Sequence, residues 1–251
     1  MDLTECVISL ARSLGVVDTG IADAGAWDDD VLVSRIIPKD ERPRALMDNA
    51  RSVIAIGIPA QRTILATAPS AYYTEHYRTL NSMLDLAAQR IAMELNILGY
   101  DAMFVSRDGY QGIEGLRKDP SSFFSHRHSA YLAGLGTFGM NNMLLTEKNG
   151  PRIRFTSVIT NAELRHGGPM KKQLCTSCMR CMNECPEDAV PSGRYPENMT
   201  DKRKCVEYSA ILRSKGCSPC GRCIFVCPVG KDANGPLPTD GAVKHIRSYT
   251  K

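Results

Sequence analysis

The chain has 251 residues, with 31 basic against 27 acidic side chains, a formal net charge of +4, 43% hydrophobic and 6% aromatic residues. That balance excludes a disordered chain, and the length suffices for one buried core plus a small second module. No run of 18 apolar residues occurs, so no membrane span is expected. The opening MDLTECVISLARSLG reads as a helix rather than a signal peptide, which gives a cytoplasmic expectation.

In chain order, Leu3, Val7, Leu10, Ala11 and Leu14 recur at helical spacing, and Val16 to Ala22 follows as a short strand. Ser52 to Pro59, an apolar run closed by proline, predicts a buried strand. A long helix is predicted from about Ala71 to Leu98, with Leu80, Met83, Leu84, Ala87, Ile91 and Leu95 on one face and Gly99 as its stop. Ala102 to Ser106 reads as a strand, Ala130 to Leu145 as a glycine-punctuated stretch, and Arg152 to Thr160 as a strand with one polar face. Strands interleaved with helices predict a layered α/β sheet over residues 1–168. His166-Gly167-Gly168-Pro169 reads as a linker to a second module over 169–235. Residues 236–251 then form a tail expected to wrap back over the first domain.

Nine of the ten cysteines lie between Cys175 and Cys227, and only Cys6 stands apart. A disulfide framework would be spread along the chain; such clustering points to metal. Cys175, Cys178, Cys181 and Cys185 precede Pro186 as C-x2-C-x2-C-x3-C-P, and Cys217, Cys220, Cys223 and Cys227 precede Pro228 with the same spacing. Arg180 and Arg222 also correspond, so this is an internal repeat. The spacing is that of the bacterial ferredoxin run for two [4Fe–4S] clusters, in which the fourth cysteine of each run ligates the other cluster. Cys175, Cys178 and Cys181 are expected with Cys227, and Cys185 with the second run. Structural zinc uses separated pairs of cysteines and fits the spacing poorly. Nine cysteines compete for eight positions: either Cys205 or Cys217 is spare, and spacing favours Cys217 as ligand. Cys6, on an apolar helix, is expected to be an inert buried thiol.

Two adjacent clusters make an electron relay, which calls for a redox site elsewhere in the chain. Residues 169–231 carry 11 basic and 6 acidic side chains, a local +5. Lys171, Lys172, Arg180 and the run Lys202 to Lys204 would offset the −2 charge of each oxidised, thiolate-ligated cluster. The basic patch therefore does not call for nucleic acid.

The segments AGLGTFGMNNMLLT and NGPRIRFTSVIT, followed by the two cysteine runs, resemble the epoxyqueuosine reductase and reductive dehalogenase superfamily, over about Ala50 to Gly230. The resemblance implies a reductase that uses cobalamin or another corrinoid. A corrinoid-binding α/β domain of nitroreductase-like fold would be joined to a ferredoxin-like module with two [4Fe–4S] clusters. It also implies a small-molecule substrate and a low-potential donor such as ferredoxin or flavodoxin. Gly134, Gly136, Gly139 and Asn141 would then lie where the loop runs close over the corrin ring, glycine allowing the approach because it lacks a Cβ. Arg152, in the matching Gly150-Pro151-Arg152, and Arg154 would face a ligand's phosphate or amides, or solvent. Arg127 matches the family's arginine upstream of the glycine loop. Lys204-Cys205 resembles the dehalogenase layout, in which a lone upstream cysteine completes the second cluster; Cys217 would then be the extra thiol.

The chain also departs from the family pattern. Met140 stands where epoxyqueuosine reductases carry lysine. Their catalytic aspartate falls on Pro120, with Asp119 one position away. Epoxyqueuosine reductases extend into a helical-repeat region and respiratory dehalogenases carry an export signal; neither is expected here, so the substrate of either branch is open and epoxyqueuosine reduction itself is not expected. The candidate proton donors are Asp119, His126 and His128, with Tyr72, Tyr73 and Tyr110 behind them; imidazole titrates near neutral pH. Two further readings compete: an electron-transfer or corrinoid-service protein, and an FMN enzyme on the same scaffold.

Overall fold

A computed structural model describes residues 2–107 and 112–231, with residues 240, 243 and 244 of the tail. Its strands are β1 (Asp18–Asp23), β2 (Ser52–Pro59), β3 (Ala102–Val105), β4 (Thr137–Phe138), β5 (Leu144–Leu145) and β6 (Ile153–Thr160). Four form one sheet in the order β1–β2–β6–β3, antiparallel at each junction. β2 runs its full length against β6, with Ser52 opposite Thr160 and Pro59 opposite Ile153. β4 and β5 make a separate hairpin inside the glycine-rich stretch.

Helices cover both faces of the sheet, which explains the unbroken apolar run of β2. Its side chains alternate between faces. Val53 and Ala55 join Trp27, Phe124 and Leu132 on one side. Ile54, Ile56 and Ile58 join Val7, Leu84, Ile91 and Leu95 on the other. The second face is made by the amino-terminal helix (Leu3–Ser13), capped by Asp2, and the long helix (Ala71–Ile97), where the Ser70 hydroxyl accepts from the Tyr73 N–H. The first face carries the histidine helix (His126–Leu132). Among the described residues, no helix is long and apolar enough to cross a membrane.

Three local expectations are corrected. The first strand begins at Asp18, because Val16 still bonds back to the Ala11 carbonyl at the end of the preceding helix. Met83 turns outward, 41% exposed, and Asn81, Ala88 and Ala92 take the buried face with the other predicted residues. β6 has no solvated polar face. Thr156 and Thr160 are fully buried, their hydroxyls donating to the carbonyls of Val105 and Asp101 at 2.7 Å each.

The predicted linker is laid along the sheet: the Gly167 N–H donates to the Ile21 carbonyl at 2.7 Å, and His166 Nε2 lies 3.2 Å from the Ser52 hydroxyl. Beyond it, the cysteine-rich segment is mostly irregular, with two one-turn helices (Arg180–Asn183 and Arg222–Phe225) and a longer one (Lys202–Ser214). Most of the tail, and the predicted wrapping of residues 236–251, falls outside the described residues.

Candidate metal centre

The internal repeat is visible in the backbone. Met179 and Gly221 occupy equivalent positions after Cys178 and Cys220. Both are left-handed, with φ of +59° and +72°, and each caps a one-turn helix carrying the next cysteine. A left-handed residue before a helical turn aims successive N–H groups inward, a shape suited to anionic sulfur. Backbone N–H groups do point at the sulfurs: that of Ala189 donates to Cys185 Sγ at 3.2 Å, and those of Met182, Arg222 and Val229 to Cys181, Cys220 and Cys227.

The thiols fall into two sets. Burial, then Cys227, then Cys175 and Cys178 push the Cys181 thiol up to about 11, so these four sulfurs face one another. Burial also raises Cys223, with Cys205, Cys220, Cys181 and Cys185 as the neighbouring thiols. Cys205 is raised in turn by burial and by Cys220 and Cys185. The second set is therefore Cys185, Cys205, Cys220 and Cys223, and Cys181 beside Cys223 brings the two sets together. Cys217, which spacing alone favours, is buried outside both, its Sγ directed at the Leu212 carbonyl at 3.5 Å.

A single zinc ion holds its sulfurs about 2.3 Å from one centre. Among the described residues, no three His, Cys, Asp or Glu side chains gather closely enough for one ion. Two four-thiol sets fed by backbone N–H donors match the donor chemistry of a four-iron cubane, whose thiolates spread around a larger core.

Buried bonds seat both sets on the α/β part. Arg152, 1% exposed, donates from Nη1 to the Cys227 carbonyl at 2.8 Å and from Nη2 to that of Val229 at 2.5 Å. Its guanidinium thus grips the loop of the fourth cysteine, a different role from contacting a ligand's phosphate or amides. Arg154 donates to Asn81 Oδ1 at 2.7 Å and lies over the Tyr77 ring. Asn141 Nδ2 donates to the Cys223 carbonyl at 3.1 Å. Tyr73 packs on Gly221, where a Cβ would stand 2.7 Å from Tyr73 Cε1.

The glycine loop closes on the chain itself. A Cβ on Gly134 would stand 2.5 Å from the Gly168 carbonyl oxygen, one on Gly136 2.0 Å from that of Leu145, and one on Gly139 2.9 Å from Asn141 Oδ1. At Gly134 and Gly136 the Cβ position is taken by a backbone carbonyl, and at Gly139 by the Asn141 and Leu145 side chains. Gly139, Met140 and Asn141 line a hollow with Cys175, Cys178, Cys181 and Cys227.

Of the proposed proton donors, His126 and His128 are core residues. His126 donates from Nε2 to the Ser106 carbonyl at 2.9 Å, and its Nδ1 lies 3.0 Å from the Ser157 hydroxyl. His128 bonds Ser125 at 2.6 Å and the Tyr195 hydroxyl at 2.8 Å. Burial, reinforced by Arg127 and Lys202, lowers it to about 3 and keeps it neutral. Neither has a ring nitrogen left for a substrate. Asp119 is exposed, near Lys202 and Glu41, and accepts from the Ser121 N–H at 3.1 Å. Tyr72 is exposed, Tyr73 buried, and Tyr110 lies outside the described residues. Arg127 donates to the Asn142 carbonyl. Cys6 is half-buried, at the edge of an apolar groove between the amino-terminal and long helices.

Tyr195 escaped sequence reasoning: it stacks on Phe138, with ring centroids 4.4 Å apart, and ties the cysteine-rich segment to His128. The only hint was an aromatic residue in a segment poor in them.

No family model matches the chain. It is 25% identical over 177 residues to an epoxyqueuosine reductase of Cyclobacterium marinum, an alignment covering 67% of this chain and 51% of that protein. It is 29% identical over 150 residues to a tetrachloroethene reductive dehalogenase of Dehalobacter restrictus, covering 59% and 25%. The chain thus spans about half the length of the first relative and a quarter of the second. In fold it is similar to an epoxyqueuosine reductase solved with a modified tRNA-Tyr stem loop, with a TM-score of 0.59, 21% identity, and coverage of 91% of this chain and 65% of that one. It is also similar to a reductive dehalogenase whose structure was interpreted as suggesting a mechanism for B12-dependent dehalogenation, with a TM-score of 0.66, 19% identity, and coverage of 98% and 34%. With a tRNA-bound protein among these neighbours, the charge balance alone does not exclude nucleic acid as a partner.

Proposed function

Since the chain belongs to the superfamily of epoxyqueuosine reductases and reductive dehalogenases, we propose that it is an iron–sulfur reductase that carries electrons through two [4Fe–4S] clusters to a corrinoid and so reduces a small molecule. The observation that carries this reading is the pair of adjoining four-thiol sets, Cys175, Cys178, Cys181, Cys227 and Cys185, Cys205, Cys220, Cys223. The ferredoxin-like module takes in residues 169–235 and the α/β domain residues 1–168.

Within this reading, the backbone N–H groups of Met182, Ala189, Arg222 and Val229 stabilise sulfur as thiolate, and Arg152 and Asn141 fix the loops that carry Cys227 and Cys223. A bound corrinoid would supply a cobalt centre able to do the difficult reduction. Support for the corrinoid comes from the relatives. Asp119 is the remaining candidate proton donor of the three.

Anaerobic reconstitution tests the proposal: full iron and sulfide content for two clusters is expected, followed by hydroxocobalamin binding at micromolar levels with an altered cobalt(II) EPR signal. Full clusters without corrinoid binding would overturn the corrinoid part. The placement of His126 and His128 in the core favours a second reading, an electron-transfer or corrinoid-service protein. Rapid reduction of a partner protein without small-molecule turnover would select it. Bound FMN in the purified protein would select the flavin enzyme instead.

A further inference from the structure

The long helix Ala71–Ile97 carries apolar side chains on two faces. One face, with Leu80, Leu84, Ala88, Ile91 and Leu95, is buried on the sheet and the amino-terminal helix. The other points to solvent and holds Met83, Leu86, Met93 and Ile97, with Leu86 71% and Ile97 72% exposed. Single exposed apolar residues are ordinary on a protein surface. These four are not scattered. With Arg90 they recur at intervals of three, four, three and four residues, the heptad repeat of a helix that packs against another helix. The row from residue 83 to residue 97 is about 21 Å long at about 1.5 Å per residue. Beside it, the apolar groove between this helix and the amino-terminal one, lined by Leu3, Leu10 and Leu98, widens the patch.

The charges on this face are few and complementary to themselves. Arg90 sits in the middle of the row and pairs with Glu94, one turn on, at 2.6 Å, and both side chains remain open to solvent. The exposed polar neighbours Ser82, Gln89 and Asn96 are neutral, while Arg78 and Asp85 at the borders are held by Glu75 and Arg107. In an antiparallel pair of such helices, a two-fold axis between residues 91 and 92 puts Leu86 in one layer with Ile97 of the partner subunit. Arg90 then meets the partner's Met93, next to the partner's Glu94. Two arginines and two glutamates alternate around the axis. A parallel pair would set Arg90 against the partner's Arg90, so the charges select the antiparallel arrangement.

We infer that Met83, Leu86, Arg90, Met93 and Ile97 form the seam on which a second copy of this chain docks, long helix against long helix and antiparallel. Burial of Leu86 and Ile97 from both copies supplies the attraction, and the cluster of Arg90 with Glu94 fixes the orientation. The seam lies towards the far end of the helix from Tyr73, the residue that packs on the second cysteine run at Gly221. The pairing therefore does not rest on the two-cluster reading.

Sedimentation equilibrium of the purified chain tests the inference. At about 50 μM the unmodified chain is expected at twice 27.6 kDa, dissociating on dilution. Leu86→Lys combined with Ile97→Lys should weaken association at least about a hundredfold, because each substitution removes an apolar contact at both ends of the two-fold seam. Arg90→Glu and Glu94→Arg should each pair poorly with themselves. An equimolar mixture of these two single variants should restore the dimer, since each then meets opposite charge across the seam. The mixture decides the matter even where the double variant fails to fold. A monomer at every concentration, a dimer that survives the double substitution, or a mixture no more associated than its components would overturn the inference. A monomer that floats with phosphatidylcholine vesicles would assign the face to a lipid surface and overturn it as well.

Discussion

Cys217 and Cys205 show what a residue's neighbours decide that its spacing does not. Cys217 opens a complete C-x2-C-x2-C-x3-C-P run, yet its thiol points to the Leu212 carbonyl, while Cys205, twelve positions earlier, faces Cys220, Cys223 and Cys185. The two halves of the repeat share their left-handed turns and helices, but the first thiol of the second run faces away from the other three. Replacing Cys205 with serine is expected to cost about half the bound iron, whereas Cys217→Ser should keep it all, because a four-thiol cubane with one oxygen ligand is labile. Iron and sulfide assay of the two purified variants decides between them, and equal iron in both would reject the assignment. The histidines make a related point. His126 and His128 read as a pair of titratable groups in sequence, but a serine, tyrosine or carbonyl partner that completes a buried imidazole leaves no mark on hydrophobic periodicity.

Elements were legible where one force dominates. β2, the long helix and the stop at Gly99 follow from apolar pattern, capping and a positive φ, and all three stand where the sequence puts them. β6 was misread on one face because Thr156 and Thr160 satisfy their hydroxyls against β3 and its approach, so polar residues lie in the core without penalty. At the glycine loop a close approach looks the same in sequence whether the visitor is a cofactor or the chain's own backbone, and the Cβ positions of Gly134 and Gly136 meet backbone carbonyls. The one-turn helix at Arg222–Phe225 gives a test at this scale. Gly221→Ala puts a Cβ 2.7 Å from Tyr73 and forces a left-handed alanine, worth about 1–2 kcal/mol from the backbone alone. The variant should melt several degrees lower in anaerobic thermal scans, and the Tyr73→Ala background should recover part of that loss. An unchanged melting temperature would show that Tyr73 does not seat this loop.

At the scale of the whole molecule, the cysteine-rich part is not a detachable bead. Arg152 to Cys227 and Val229, Asn141 to Cys223, His128 to Tyr195, and Asn142 Oδ1 accepting from the Thr200 N–H at 2.5 Å all cross from one part to the other. One of these links makes global stability depend on pH. His128 is neutral in the folded chain down to about pH 3, but takes up a proton near its ordinary value of 6.5 once unfolded. The unfolded state therefore binds more protons below pH 6.5. Stability from this site is complete above that value and is lost as the pH falls from 6.5 towards 3, with a slope approaching about 1.4 kcal/mol per pH unit. Denaturant midpoints between pH 7 and 5.5 should fall accordingly in the native chain and more gently in His128→Gln. Parallel curves would remove His128 from the account.

Gly150 carries a consequence for anyone who would recombine such proteins. A Cβ there would stand 2.0 Å from the Val229 carbonyl oxygen, and Arg152, two residues on, holds that same oxygen. The turn before β6 and the end of the second cysteine run were shaped against each other. A chimaera that moves residues 169–231 onto another host sheet inherits the cysteines but not their mould, unless Gly150 and Arg152 travel with them.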